Sequence, residues 1–96
     1  MRKAIWKFRL DHAVITRVTM PEGATPLCVG RQNGEYMLWC EVDPKAAPRE
    51  AVIQMVGTGR PVLDTESAPH YIGTIFDGDL VWHIYWMGQD GGEVMA

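Results

Sequence analysis

The stretch that decides the fold is Pro26-Leu27-Cys28-Val29-Gly30-Arg31-Gln32-Asn33-Gly34-Glu35-Tyr36-Met37-Leu38-Trp39-Cys40-Glu41-Val42-Asp43. Two apolar runs flank Asn33-Gly34, a dipeptide that readily takes positive φ at both central positions of a type I′ turn. A hairpin closed by that turn sets Gln32 across from Glu35, then Val29 across from Leu38 and Leu27 across from Cys40 on one face. Cys28 lies across from Trp39 on the other face, which also carries Met37. The cysteines therefore point to opposite sides of the sheet and are expected to be free thiols. Two cysteines in all also suit an intracellular chain better than a disulfide-stapled secreted one.

Outward from this hairpin the same period of two continues. Ala4, Trp6, Phe8 and Leu10 alternate with Lys3, Lys7 and Arg9, the pattern of a half-buried strand. Val14 to Met20 is β-branched and stops at Pro21-Glu22-Gly23, a turn signal. The prolines between Asp43 and Pro48 interrupt the pattern with room for one helical turn over 44–51. Glu50 to Val56 then resumes it, up to Gly57-Thr58-Gly59-Arg60-Pro61. Residues 61–69 read as a loop. Tyr71 to Phe76 and Asp79 to Met87 flank Asp77-Gly78, a second hairpin signal. This register places Ile75 across from Leu80, Tyr71 across from Ile84 and Trp82 across from Gly73, where its ring covers bare backbone. His70 then faces Tyr85, and His83 faces Ile72. The expected fold is all-β, a single small antiparallel sandwich or barrel of about seven strands with tight hairpins at Asn33-Gly34 and Asp77-Gly78. Residues 1–87 form the one domain and 88–96 a flexible tail.

Composition agrees with one packed domain: 96 residues, 47% hydrophobic and 22% charged. A net charge of −3 disfavours bulk binding of nucleic acid, and no direct nucleic-acid contact is expected. The charge is unevenly spread. Residues 1–20 carry Arg2, Lys3, Lys7, Arg9 and Arg17 against Asp11 alone. Beyond Arg60 there are only acids, Asp64, Glu66, Asp77, Asp79, Asp90 and Glu93. Either the two oppositely charged regions attract each other or are simply solvated, or the acidic one faces a basic partner. Lys7 and Arg9 interrupt the apolar run that a signal peptide needs, and no run approaches the length of a membrane helix.

Catalytic signals are weak. His12, His70 and His83 lack metal-ligand spacing, although the expected register makes His70 and His83 diagonal neighbours; no metal and no cofactor is expected. Neither cysteine has an adjacent base. The pairs Asp64 with Glu66 and Asp77 with Asp79 resemble catalytic dyads only superficially, and Asp77 suits turn chemistry. The Gly57-Thr58-Gly59-Arg60 turn could cradle a phosphate through Gly57, Gly59 and Arg60. More telling, both hairpins are apolar on both faces, so the second set is either covered by loops or open to a partner or a second copy.

Several motifs together resemble a family of small uncharacterised proteins of phages and prophages. They are Ile5-Trp6-Lys7-Phe8, Met20-Pro21-Glu22-Gly23-Ala24, Gln32-Asn33-Gly34, Leu38-Trp39 with Val42-Asp43-Pro44, Gly57-Thr58-Gly59 with Pro61, and Tyr71-Ile72-Gly73-Thr74 with Val81 and His83. The resemblance implies accessory work in a bacterial host cytoplasm, with no catalytic residue to carry over. The function expected on this basis is non-enzymatic, anti-CRISPR-like inhibition of a host defence complex, in which an acidic and aromatic surface occludes a basic one. That surface comprises Met37, Trp39, Asp64, Glu66, Asp77, Asp79 and Tyr85. A homodimer is compatible with it, and no membrane is involved. The alternative is a small-ligand binder that sequesters a nucleotide immune signal on Gly57, Gly59 and Arg60.

Overall fold

A computed structural model describes residues 2–64 and 68–89. Seven antiparallel strands follow one another: β1 (Ala4–Leu10), β2 (Ile15–Pro21), β3 (Thr25–Gln32), β4 (Glu35–Val42), β5 (Pro48–Gly57), β6 (His70–Asp77) and β7 (Leu80–Gly88). They form two sheets. Sheet A has the order β1-β4-β3 and sheet B the order β2-β5-β7-β6. Among the described residues no helix is long and apolar enough to cross a membrane. The segment between β4 and β5 is a turn closed by Ala46 N–H donating to the Asp43 carbonyl, 3.0 Å, and not a helical turn.

Alternation decides what is buried. Leu10, Tyr36, Leu38, Cys40 and Val42 of sheet A meet Met20, Ala51, Ile53, Met55, Ile75 and Ile84 of sheet B in one core. The strands β3 and β6 bring the sheets together along one side, so closely that a Cβ placed on Gly73 would lie 3.0 Å from Val29 Cγ2. Gly73 is thus needed where two strands approach, and Trp82 does not cover it. Trp82 instead lies over Gly57, with Cζ3 3.3 Å from the position of a Cβ there.

The first hairpin has the expected type I′ turn, with φ of 53° at Asn33 and 78° at Gly34. Its register holds from Gln32–Glu35 to Cys28–Trp39, then breaks: Pro26, not Leu27, pairs with Cys40. Leu27 is extruded and exposed, because a proline in a ladder lacks the N–H that regular pairing requires. The second hairpin corrects the expectation more deeply. Asp77 pairs with Leu80, so the loop is Gly78-Asp79 and Ile75 faces Trp82. Gly78, at φ 59°, takes the first loop position that a type II′ turn reserves for glycine. A bulge at Ile72 shifts the far end, where Tyr71 faces Tyr85 and His70 faces Trp86, while His83 faces Thr74. His70 and His83 are consequently not diagonal neighbours. Gly88 closes β7, and the Gln89 side chain accepts from Gly23 N–H and Ala24 N–H and donates to the carbonyls of Met20 and Pro21, so these two residues belong to the folded domain. The rest of the tail lies outside the described residues.

Loop cover hides the outer face of β5, a strand of neither hairpin. Val52, Gln54 and Val56 alternate with core residues and so face away from sheet A, yet all three are buried. Gln54 Nε2 donates to the Leu63 carbonyl, 3.0 Å, and Gln54 Oε1 accepts from Leu63 N–H, 2.7 Å. One amide side chain therefore clamps the Pro61–Asp64 segment across the sheet. The Gln54→Leu variant is expected to lose about 1–3 kcal/mol of stability in urea unfolding, since the Leu63 groups lose both partners, and to open this segment to limited proteolysis. The cysteines are free, Cys28 exposed and Cys40 buried. Burial, with a smaller contribution from Cys28, pushes the Cys40 thiol up to about 12. An alkylating reagent at neutral pH should modify Cys28 in the native protein and Cys40 only in denaturant.

Candidate functional site

The tips of both hairpins, the β1–β2 connection and the end of β5 collect at one end of the sandwich. Tyr36 occupies the centre of that end. It is core-facing on β4, and the imidazole of His12 stacks on its ring at 4.1 Å with 18° between planes. Trp82 Nε1 donates to the Tyr36 hydroxyl, 3.0 Å, and that hydroxyl donates to Asp77 Oδ2, 2.6 Å. The Arg31 guanidinium pairs with Asp77 Oδ1. A continuous polar chain thus runs from β7 through β4 and β6 to β3, joining the two sheets.

This chain fixes protonation states. The hydrogen bond from Tyr36 holds the Asp77 carboxyl below its usual range, with Arg31 assisting and burial opposing. Burial foremost, with the carboxylate beside it, pushes the Tyr36 hydroxyl up. Asp77 stays an acceptor and Tyr36 a donor, so the pair forms a fixed wall and does not exchange a proton near neutrality.

Against this wall lies a hollow of about 260 Å³, lined in part by His12, Val14, Met55, Leu80 and Trp82. A second hollow of about 440 Å³ adjoins it, shares Val14, Met55 and Trp82, and continues to Arg60 and Leu63. Together they form an apolar groove with the indole of Trp82 in its middle and one guanidinium at its far end. The turn that delivers Arg60 is of type II: Arg60 N–H donates to the Gly57 carbonyl, 3.0 Å, and Gly59 has φ 88°.

The residues expected from the sequence as one acidic and aromatic surface do not assemble into one. Met37 and Trp39 lie on the outer face of sheet A, where Trp39 Cζ3 sits 3.6 Å from a Cβ position on Gly30. Tyr85 is on the outer face of sheet B, and Asp64 is exposed on the clamped segment. Asp79 is exposed in the second turn, while Asp77 is engaged by Tyr36 and Arg31. Glu66 lies outside the described residues. Period-two strands put neighbouring residues on opposite faces, which scatters such a set. Of the alternatives for the two charged regions, mutual attraction is not what forms: Lys3, Arg9 and Arg17 pair with Glu41, Asp11, Glu35 and Glu50, and among described residues only Asp77 of the acidic last third is ion-paired. Gly57, Gly59 and Arg60 do fall together, at the rim of the groove.

Sequence reasoning missed His12, Val14, Tyr36 and Met55 as site residues. One signal was available: Asp77 shares the core-facing parity of Ile75, and an inward carboxylate requires donors. No group of three or more His, Cys, Asp or Glu is placed to hold a metal among the described residues.

Fold and site define a seven-strand antiparallel sandwich with an open groove at its hairpin end. A family model described as a domain of unknown function, DUF7352, matches residues 1–93, and the chain belongs to that family. No curated protein and no solved structure matches the chain.

The Asp77 pairing has a pH signature. A carboxyl held low when folded adds stability that is present above its unfolded value and lost as pH falls through its folded one. The Asp77→Asn variant should melt lower than wild type at neutral pH, and the gap should close below about pH 4.

Proposed function

We propose that the chain is a non-enzymatic binding protein that holds a small amphipathic ligand in the groove at its hairpin end. The observation that carries this reading is the shared wall: Val14, Met55 and Trp82 serve both hollows, so that a flat apolar body can lie from His12 to Leu63 with an anionic end at Arg60. Pockets of this kind, mostly apolar with a few fixed polar groups, bind small molecules. The Tyr36-centred chain supports the reading by holding the floor rigid before a ligand arrives. A nucleotide matches these requirements, with its base over Trp82 and its phosphate toward Arg60. The resemblance to phage and prophage proteins suggests the setting, sequestration of a nucleotide immune signal in a bacterial host cytoplasm.

A second reading, inhibition of a host defence complex by occlusion of a basic surface, is favoured by exposed apolar side chains beside the same hairpin. Phe76 is 70% and Leu80 50% exposed, and the free carboxylate of Asp79 lies between them in sequence. Trp, Tyr and Phe are favoured in protein interfaces, and a second copy of the chain could also cover this patch.

Calorimetric titration with a panel of nucleosides and nucleotides tests the first reading. Saturable binding with a raised melting temperature is expected. Val14 is exposed, so Val14→Glu should fold normally and weaken binding at least about tenfold by placing a carboxylate in the groove. Wild-type affinity in that variant would remove the groove from consideration.

A further inference from the structure

Beyond Arg60 a third hollow, about 230 Å³, opens on the outer face of sheet B between the Gly57–Arg60 turn and β7. It shares Val56, Gly57 and Arg60 with the groove. The polar side chains that line it are Thr58, Arg60, His83 and Tyr85, each able to donate a hydrogen bond, and among the described residues no carboxylate lines it. Its electrostatic preference is for an anion.

His83 is held at both ring nitrogens. Thr58 Oγ1 is 2.9 Å from Nε2, Thr74 Oγ1 is 3.2 Å from Nδ1, and the Tyr71 hydroxyl is 2.5 Å from Thr74 Oγ1. A neutral imidazole has one donor and one acceptor nitrogen, so one of the two hydroxyls must give its proton to the ring. An imidazolium donates from both nitrogens, and both hydroxyls accept. Protonation therefore breaks neither contact, and with both hydroxyls accepting from the ring the Thr58 hydroxyl proton points away from it and can turn toward the hollow. The groups facing His83 are Arg60 from the turn, Val56 from β5, Thr74 and through it Tyr71 from β6, and Tyr85 on its own strand. Arg60 is the only permanent charge among them. It repels a cationic ring until an anion lies between them, so anion binding and proton uptake favour each other.

We infer that this hollow is a subsite for a tetrahedral phosphate-type anion, the charged end of the groove's ligand, and that the anion binds with uptake of one solvent proton by His83. The link to the groove rests on the ligand-binding reading above. The anion site itself rests on its own lining.

The test follows the imidazole and indole resonances by NMR while two probes are added separately: inorganic sulfate, whose charge is constant over the range used, and adenosine, which has a ring and no anion. Sulfate should shift the His83 resonances saturably, about tenfold more tightly at pH 6 than at pH 8, within the range where imidazoles change charge. Arg60→Gln should weaken sulfate binding about tenfold through loss of a charge-assisted contact. His83→Gln, in which sulfate binding is followed at the Thr58 amide resonance, should keep its contact with Thr58 and lose the pH dependence. No saturable shift at His83 at either pH, or an unchanged pH dependence in His83→Gln, would overturn the subsite. A shift of Trp82 by adenosine with His83 unmoved by sulfate sinks the subsite and leaves the groove standing. The reverse pattern sinks the groove reading alone.

Discussion

The hydrogen-bonded chain from Trp82 through Tyr36 to Asp77 and Arg31 is the constraint on which the rest of the structure depends. Its members come from four strands in two sheets, at the end where the β1–β2 connection also crosses from one sheet to the other. Inside a partly buried end each polar group is costly unless satisfied, and each satisfied one is stronger than in water. No buried side-chain polar atom among the described residues lacks a partner, which is the condition under which such a chain specifies one arrangement. It also explains the second hairpin. Asp77 is drawn inward by Tyr36 and Arg31 and stays in the ladder, so the turn falls on Gly78-Asp79.

The groove follows from the same constraint together with the Gln54 clamp. One fixes the floor beneath His12 and Trp82, while the other ties Leu63 across β5 and so sets the course of the segment that follows Arg60. The open hollow between these two anchored regions is lined by side chains that gain little from further packing on their own chain. Val14 and Leu63 remain exposed there. Rigid walls around an unfilled apolar space keep the ordering cost of binding low.

Charge is arranged locally. The basic residues of β1 and β2 meet carboxylates on the strands beside them, and these exposed pairs add little stability. Their effect is to leave Arg60, on a turn away from those strands, as the guanidinium at the groove.

Strand periodicity, the type I′ turn at Asn33-Gly34, the free state of both cysteines and the all-β class were legible in the sequence. Each depends on a residue and its near neighbours: alternation sets which face is buried, and positive φ belongs to few residue types. Register was legible only in the first hairpin, from Gln32–Glu35 to Cys28–Trp39; in the second no expected pair forms. The bulge at Leu27 and the shift at Gly78 answer to a proline's missing N–H and to donors on another sheet. The candidate site was legible only at the Gly57–Arg60 turn. Its other residues, His12, Tyr36, Met55 and Trp82, are far apart in the chain and look like ordinary core positions, because nothing local distinguishes an inward aromatic that packs from one that also faces a cleft. The sequence by itself determined the elements and their faces. Tertiary structure alone decided which faces meet, which loop covers β5 and where an apolar surface is left open, since those depend on how two sheets and three connections share one limited core.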